Sequence, residues 1–262
     1  MDVSIIIVNY KSKDLTLNCI RSIRQADWPG LDYEIIVVDN YSGDLSGQDL
    51  KQFGQIKYIM NGRNLGMGAA NNLGIRQAAG KYVVIMNPDT VAPKDAFFKL
   101  FEFMESHPAV GVAGPKQLNP GGSLQDSCYR WPSLFLPFFR RTPLGQTGAG
   151  KKYLDRFLYK DYNKDSLREV NWLLGSFLFC RAEALRQVGV FDERFFLYFE
   201  DTDLCKRFSR AGWKVVYYPE VKILHNHMRQ SARLVWYKFY QNKAAWHHII
   251  SWIKYLKKWG LK

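Results

Sequence analysis

Apolar and polar positions fall into blocks along the first half of the chain. Residues 3–8 form a Val- and Ile-rich run closed by the polar Asn9. A helical pattern follows, with Leu15, Cys19, Ile23 and Ala26 on one face. Further apolar runs occupy 33–38, 56–60 and 82–86, separated by helical patterns around 69–79 and 93–106. Strand-length runs that do not alternate, spaced by amphipathic helices, predict a mostly parallel sheet covered on both faces. Ligands of such sheets bind beyond the carboxyl ends of the strands. The residues that follow each run are Asn9-Tyr10, Asp39-Asn40, Asn61-Gly62-Arg63-Asn64 and Asn87-Pro88-Asp89-Thr90. Singly these are ordinary turn formers. Four such ends on one sheet edge point instead to a nucleotide-sized pocket.

The second half changes character. Residues 115–170 are rich in Pro, Gly, aromatic and basic residues without a clear period, and read as an irregular lid or acceptor region over the sheet. Order returns with a predicted strand over 170–180 and a short helix over 181–188 stopped by Gly189. The acidic run Glu200-Asp201-Thr202-Asp203 then opens a helix with Leu204, Phe208 and Ala211 on one face. Two short strands, 213–218 and 221–224, end at His225-Asn226-His227.

At 262 residues and 47% hydrophobic, the chain can build one large domain, 1–228, with a tail at 229–262. Charge sharpens that division. The net charge is +13, yet no acidic residue follows Glu220, and the tail alone carries eight Lys and Arg. This balance predicts a phosphate-bearing ligand for the body and an anionic surface for the tail. In the tail, Trp246, Ile249, Ile250, Ile253 and Leu256 follow helical spacing among lysines. The excess of Trp and Lys favours a helix lying in a membrane interface over one docked on the core. No apolar run is long enough to span a bilayer, and the N-terminus lacks a basic leader, so a cytoplasmic protein held at the inner face of the membrane is expected. Cys19, Cys128, Cys180 and Cys205 form no CxxC pair, which fits free thiols in a reducing compartment and argues against zinc.

Two motifs mislead. Gly145-Gln146-Thr147-Gly148-Ala149-Gly150-Lys151 has P-loop spacing, but Lys152 stands where Ser or Thr would hold magnesium, so a flexible loop is expected. Gly66-Met67-Gly68 begins a dinucleotide fingerprint that Asn71 breaks. The informative motifs are acidic. Asp89 follows an apolar strand, where a carboxylate can reach a cation bridging two phosphates. The run Glu200, Asp201 and Asp203 sits at a helix start behind five large apolar residues, surroundings that favour a carboxylate able to accept a proton.

In order along residues 3–231, these pieces resemble the inverting family 2 glycosyltransferases of GT-A fold, specifically the bacterial rhamnosyltransferase-like branch. The resemblance is carried by Ile6-Ile7-Val8-Asn9-Tyr10, Val37-Val38-Asp39-Asn40, Asn64-Leu65-Gly66 with Asn71-Asn72, and Asn87-Pro88-Asp89. It continues through Leu174-Gly175-Ser176, Glu200-Asp201-Thr202-Asp203-Leu204 and a His225 to Ser231 ending. It implies a Rossmann-like GT-A domain that binds a nucleotide-diphosphate sugar, favoured as dTDP-rhamnose, through Asn9, Tyr10, Asp39, Asn64, Asn87 and Asp89. It implies Mg²⁺ or Mn²⁺ on Asp89 and His225, with His227 as substitute, and Asn87 stands where the family pattern has its first Asp. Asp201 would be the base, supported by Glu200 and Asp203, with Arg63 and Arg229 near the diphosphate. Trp172 and Gly175 would border a glycan or lipid-linked acceptor of a surface polysaccharide. A nucleic-acid-binding protein using the basic aromatic tail, or a nucleotidyltransferase of related fold, are the competing readings. The body carries no nucleic-acid recognition motif, so no nucleic-acid partner is expected.

Overall fold

The computed structural model describes residues 1–226 and 243–260. Twelve strands and nine α-helices follow one another among them. The first half runs β1 (Val3–Asn9), α1 (Lys13–Arg24), β2 (Tyr33–Asp39), α2 (Gly47–Leu50), β3 (Lys57–Met60), α3 (Met67–Gln77), β4 (Tyr82–Met86), β5 (Thr90–Val91) and α4 (Ala96–Ser106). The second runs β6 (Val110–Leu118), β7 (Leu124–Gln125), β8 (Cys128–Tyr129), α5 (Leu136–Arg141), α6 (Gly148–Phe157), β9 (Arg168–Glu169), β10 (Trp172–Leu173) and β11 (Phe177–Arg181). After α7 (Ala182–Val188) come α8 (Glu200–Arg210), β12 (Lys214–His225) and α9 (Lys243–Trp259).

The main sheet has the order β3-β2-β1-β4-β11-β6-β12-β5. Strands β3, β2, β1 and β4 are parallel, β11 enters antiparallel between β4 and β6, and β12 lies parallel to β6. All seven residues of β1 are buried. Their side chains alternate between two cores. Ile5 and Ile7 pack on the side of α1 and α4 with Ile20, Phe97 and Leu100, whereas Ile6 faces the side of α7 and α8 with Leu185, Leu204 and Phe208. The Val- and Ile-rich pattern thus reports a strand covered on both faces, as expected. Register carries the strand ends to one edge: Asn9 lies opposite Asp39, and Asp39 opposite Met60. The long strand β12 is irregular between Tyr218 and Lys222, then continues and pairs His225 with Thr90 of β5.

Several expectations need correction. Residues 115–170 are not irregular throughout, since they hold the end of β6, β7, β8, α5, α6 and β9. The P-loop look-alike is the entry to α6, where the Thr147 hydroxyl accepts from the Gly150 amide as an N-cap. The single strand expected over 170–180 is two, β10 and β11, because the chain turns between them to aim the Gly175 amide at Asp201. The strands 213–218 and 221–224 are one continuous strand, β12. The tail boundary at 229 lies outside the described residues, as do His227, Arg229 and Ser231.

The tail helix α9 docks on the body. Its Tyr255 is buried with Phe195 and Phe199, flanked by Trp252, Leu256 and Trp259. Trp246, Ile250 and Ile253 remain exposed on its other side. The core-docked reading therefore holds for one face, and the apolar stripe remains on the other. Among the described residues no helix is long and apolar enough to cross a membrane.

Gly66 is the tightest joint between the two halves. It has φ +83 and ψ 173, and a Cβ there would stand 2.3 Å from the Phe196 carbonyl oxygen. Gly66→Ala is expected to destabilise the protein by at least about 1–3 kcal/mol, the range for forcing a side chain into that backbone region. Urea unfolding of the two proteins measures it, and an unchanged midpoint would refute the close approach.

Candidate active site

Three groups of polar side chains gather at the edge formed by the strand ends. The first lies beyond β1 and β2. The buried Asn9 amide donates to Asp39 Oδ2 at 2.9 Å, Ser42 Oγ at 2.7 Å and Asp44 Oδ1 at 2.8 Å. Asn9 Oδ1 accepts from Thr16 Oγ1 at 2.8 Å. Asp39 also receives the Ser42 amide at 2.8 Å, so its carboxylate is held in place before any ligand arrives. Tyr10 is 45% exposed beside it. Next to this group, buried Asn40 takes the Asn61 amide at 3.1 Å and the Leu65 backbone amide at 2.9 Å, and gives its own amide to Asn64 at 3.0 Å. Asn64 is thereby a spacer that shapes the 61–66 turn.

The second group is Asp89 with His225. Strand pairing of β5 with β12 sets it up, and the Asn226 amide donates to the Asp89 carbonyl at 2.8 Å. His225 Nδ1 lies 2.6 Å from Gln125 Oε1, an oxygen that can only accept. Nδ1 donates to that oxygen when it carries the ring proton, and Nε2 lies 3.4 Å from Asp89 Oδ1. A carboxylate oxygen and an imidazole nitrogen placed this close are a donor set suited to a divalent cation such as Mn²⁺ or Mg²⁺. The Gln125 contact is the outer support that metal-binding histidines commonly have. Among the described residues no group of three or more His, Cys, Asp or Glu is arranged to hold a metal ion. Asn87 contributes backbone contacts, its amide donating to Ser176 O at 2.8 Å.

The third group opens α8. Glu200, Asp201 and Asp203 are all buried. Asp201 Oδ2 accepts the Gly175 amide at 2.9 Å, and Oδ1 accepts the Thr202 amide at 2.7 Å. Gly175 packs closely here: a Cβ would lie 3.1 Å from the Asp201 Cβ, so Asp201 would have to give way by a few tenths of an ångström. Burial raises the Asp201 carboxyl above the ordinary aspartate range, against the pull of those two amides. Glu200 Oε2 is buried and makes no hydrogen bond. Burial, and then the adjacent Asp201 charge, push its carboxyl up to about 8. Asp203 stands apart chemically: it binds Arg207 Nε at 2.9 Å, Lys258 Nζ at 2.7 Å and Trp259 Nε1 at 2.8 Å. Trp172 is buried, stacked 4.3 Å from Tyr129, with its indole N–H on the Arg130 carbonyl. Of the two expected acceptor-side residues, Gly175 donates its amide to Asp201 and Trp172 lies in β10.

Asp44, Ser42 and Gln125 did not emerge from the sequence. Asp44 could have been sought as a second carboxylate shortly after the β2 end. Gln125 lies in a stretch that carries no periodic signal.

A family model described as Glycosyl transferase family 2 matches residues 4–172. The N-acetylglucosaminyl-diphospho-decaprenol L-rhamnosyltransferase of Mycobacterium tuberculosis (strain ATCC 25618 / H37Rv) is 32% identical over 219 residues, covering 76% of this chain and 68% of that protein. Rhamnosyltransferase WbbL of Escherichia coli (strain K12) is 27% identical over 265 residues, covering 98% and 93%. The fold is similar to that of the mannosyltransferase PcManGT from Pyrobaculum calidifontis in complex with GDP-Man and Mn²⁺. There the TM-score is 0.63 at 18% identity, over 97% of this chain and 64% of that one. It is also similar to S. aureus TarS 1-349 in complex with UDP-GlcNAc, with a TM-score of 0.59 at 16% identity over 87% and 60%.

The protonation of Glu200 gives a stability test. Below its ordinary value of 4.5 the carboxyl is protonated in folded and unfolded chains alike. As pH rises towards about 8, the unfolded chain releases the proton while the folded one keeps it, so folding weakens across that window. Glu200→Gln has no such proton, and its Tm is expected to fall less over the same range. Parallel Tm–pH curves would mean that the folded protein does not hold the proton there.

Proposed function

The chain belongs to glycosyl transferase family 2, and from that premise we propose that it moves a sugar from a nucleotide diphosphate to an acceptor hydroxyl in one inverting displacement. The observation that carries this reading is the meeting of Asp39, the Asp89–His225 pair and the Glu200–Asp201 pair at one sheet edge. Asp39, held by Asn9 and Ser42, receives the donor's base and ribose, with Tyr10 and the Asn64 turn beside it. Asn87 and Asp89 lie under the diphosphate, with Arg63 as a nearby cation. Asp201 takes the acceptor's proton as that oxygen forms its bond to the anomeric carbon. The anomeric bond to the diphosphate breaks on the opposite face, and the nucleoside diphosphate leaves with the electron pair. Glu200, protonated beside it, confines the negative charge of the pair to Asp201. Asp89 and His225 would hold Mg²⁺ or Mn²⁺, which when bound supplies a Lewis acid that offsets charge on the leaving diphosphate.

The rhamnosyltransferase relatives support dTDP-L-rhamnose as donor and a lipid-diphosphate-linked glycan as acceptor, in the building of a surface polysaccharide. Such an acceptor is presented at a membrane. The domain 1–228 would carry the chemistry and the tail 229–262 the contact with an anionic leaflet at the cytoplasmic face. The exposed Trp246, Ile250 and Ile253 beside Lys254 and Lys257 support that contact. The aromatic and basic residues at 233–240 lie outside the described residues. The relatives do not favour the nucleic-acid reading.

Three measurements test the chemistry. Excess chelator is expected to abolish release of nucleotide diphosphate, and added Mg²⁺ or Mn²⁺ to restore it; full activity in chelator removes the cation from the scheme. Asp201→Asn keeps the shape of the side chain without its basicity, so kcat should fall about 10²-fold or more with little change in donor binding. An active Asp201→Asn with an inactive Glu200→Gln would move the base to Glu200, and a retained anomeric configuration would exclude the single displacement.

A further inference from the structure

The segment that delivers Glu200 and Asp201 is strained. Tyr198 and Phe199 both have φ +68, two consecutive left-handed residues with large side chains. Each such residue costs about 1–2 kcal/mol, so the turn persists only where its surroundings fix it. From α3, the Met67 amide donates to the Phe196 carbonyl at 2.8 Å. Further contacts come from α9. Ser251 Oγ donates to the Leu197 carbonyl at 2.8 Å, and Lys254 Nζ to the Arg194 carbonyl at 2.6 Å. The Phe199 ring lies 5.2 Å from His248 and 5.4 Å from Tyr255. Beyond the turn, Lys258 and Trp259 bind Asp203, and Lys258 also reaches back to Asp192 at 2.8 Å. One helix therefore grips the 192–203 segment before and after the two carboxylates, which lie between the grips.

We infer that α9 is a positioning element of the active site: through Ser251, Lys258 and Trp259 it holds the left-handed turn and Asp203, and so sets where Glu200 and Asp201 point. The inference rests on the reading of that acidic pair as the proton-accepting site. It gives Asp203 a different task from the one its motif suggests. With no solvent exposure and three cationic or N–H partners, Asp203 anchors α9 to α8 and leaves proton transfer to its neighbours. It also explains why a buried carboxylate is tolerated one turn from two others: Arg207 and Lys258 neutralise it locally.

The test uses the full chain with Ser251→Ala, Lys258→Gln and Trp259→Phe, singly and as a triple variant, and Lys258→Arg as the conservative control. The triple variant is expected to lose at least 10-fold in kcat while KM for the donor and nucleotide-diphosphate binding by calorimetry stay near those of the parent. The pH profile of kcat is expected to shift, because the burial of the pair changes with its position. Lys258→Arg should restore most of the activity lost in Lys258→Gln. A purely structural helix would instead lower Tm and the folded fraction, with kcat per folded molecule and its pH profile unmoved, and that result overturns the inference. If the triple variant does not fold, the single variants carry the same readout, and unchanged kcat and pH profiles in all three overturn it equally. Asp201→Asn is assayed separately. It reports which carboxylate is the base, whereas the α9 variants report whether the helix sets the pair, so either idea can fail alone.

Discussion

A strand buried on both faces has nowhere to keep polar chemistry except its ends, and β1 imposes that constraint on the rest of this protein. Its Ile5, Ile6 and Ile7 are completely enclosed, each contributing about 1.5–3 kcal/mol by leaving water. Any polar side chain within the run would be stranded between two cores. Ser4 is the exception, and it is satisfied by Glu34 at 2.6 Å and by the Gly80 amide at 2.8 Å. Everything reactive is therefore pushed to the carboxyl edge, where parallel register lines up Asn9 and Asp39 and leaves Asn87 and Asp89 just beyond β4.

The edge is electrostatically divided. At the Asp39 end, polar side chains and a backbone amide surround the carboxylate and fix its orientation. At the α8 end, burial raises Glu200 and Asp201 towards the protonated state. The same residue class thus meets two environments, one lined by protein dipoles and one dry. The basic excess of the chain complements both, since the ligands proposed here carry phosphates at each stage.

Much of this was legible in the sequence, and the reason is local. Strand ends, helix starts and turn residues are set by neighbours in the chain, so Asn9, Asp39, Asp89, Glu200 and Asp201 could be found from spacing and family motifs together. What could not be read depends on register between distant segments. The run that became β11 was visible as a strand, but not its antiparallel position between β4 and β6. Gln125 could not be connected to His225 because neither segment points to the other. Helix α9 has apolar residues on two sides, and periodicity cannot say which side meets protein. Of the stripe Trp246, Ile249, Ile250, Ile253 and Leu256 read from the sequence, Leu256 packs with Tyr255 on the body, whereas Trp246, Ile250 and Ile253 are exposed. Nor could the sequence pair the Trp172 ring with Tyr129, 43 residues earlier, on which it stacks at 4.3 Å.

The long spans bridged by the site's supporting contacts bear on how the protein comes into being. Asn72 clamps the backbone of Phe191 from 119 residues away, and Gln125 orients His225 across 100. Neither contact can reward the chain until the sheet order is already in place, since closing such loops costs entropy before any contact repays it. The proposed cation site and proton-accepting pair would consequently be late features, assembled only with the full topology. Until that point Asp89 lacks its histidine and the acidic run lacks its enclosure.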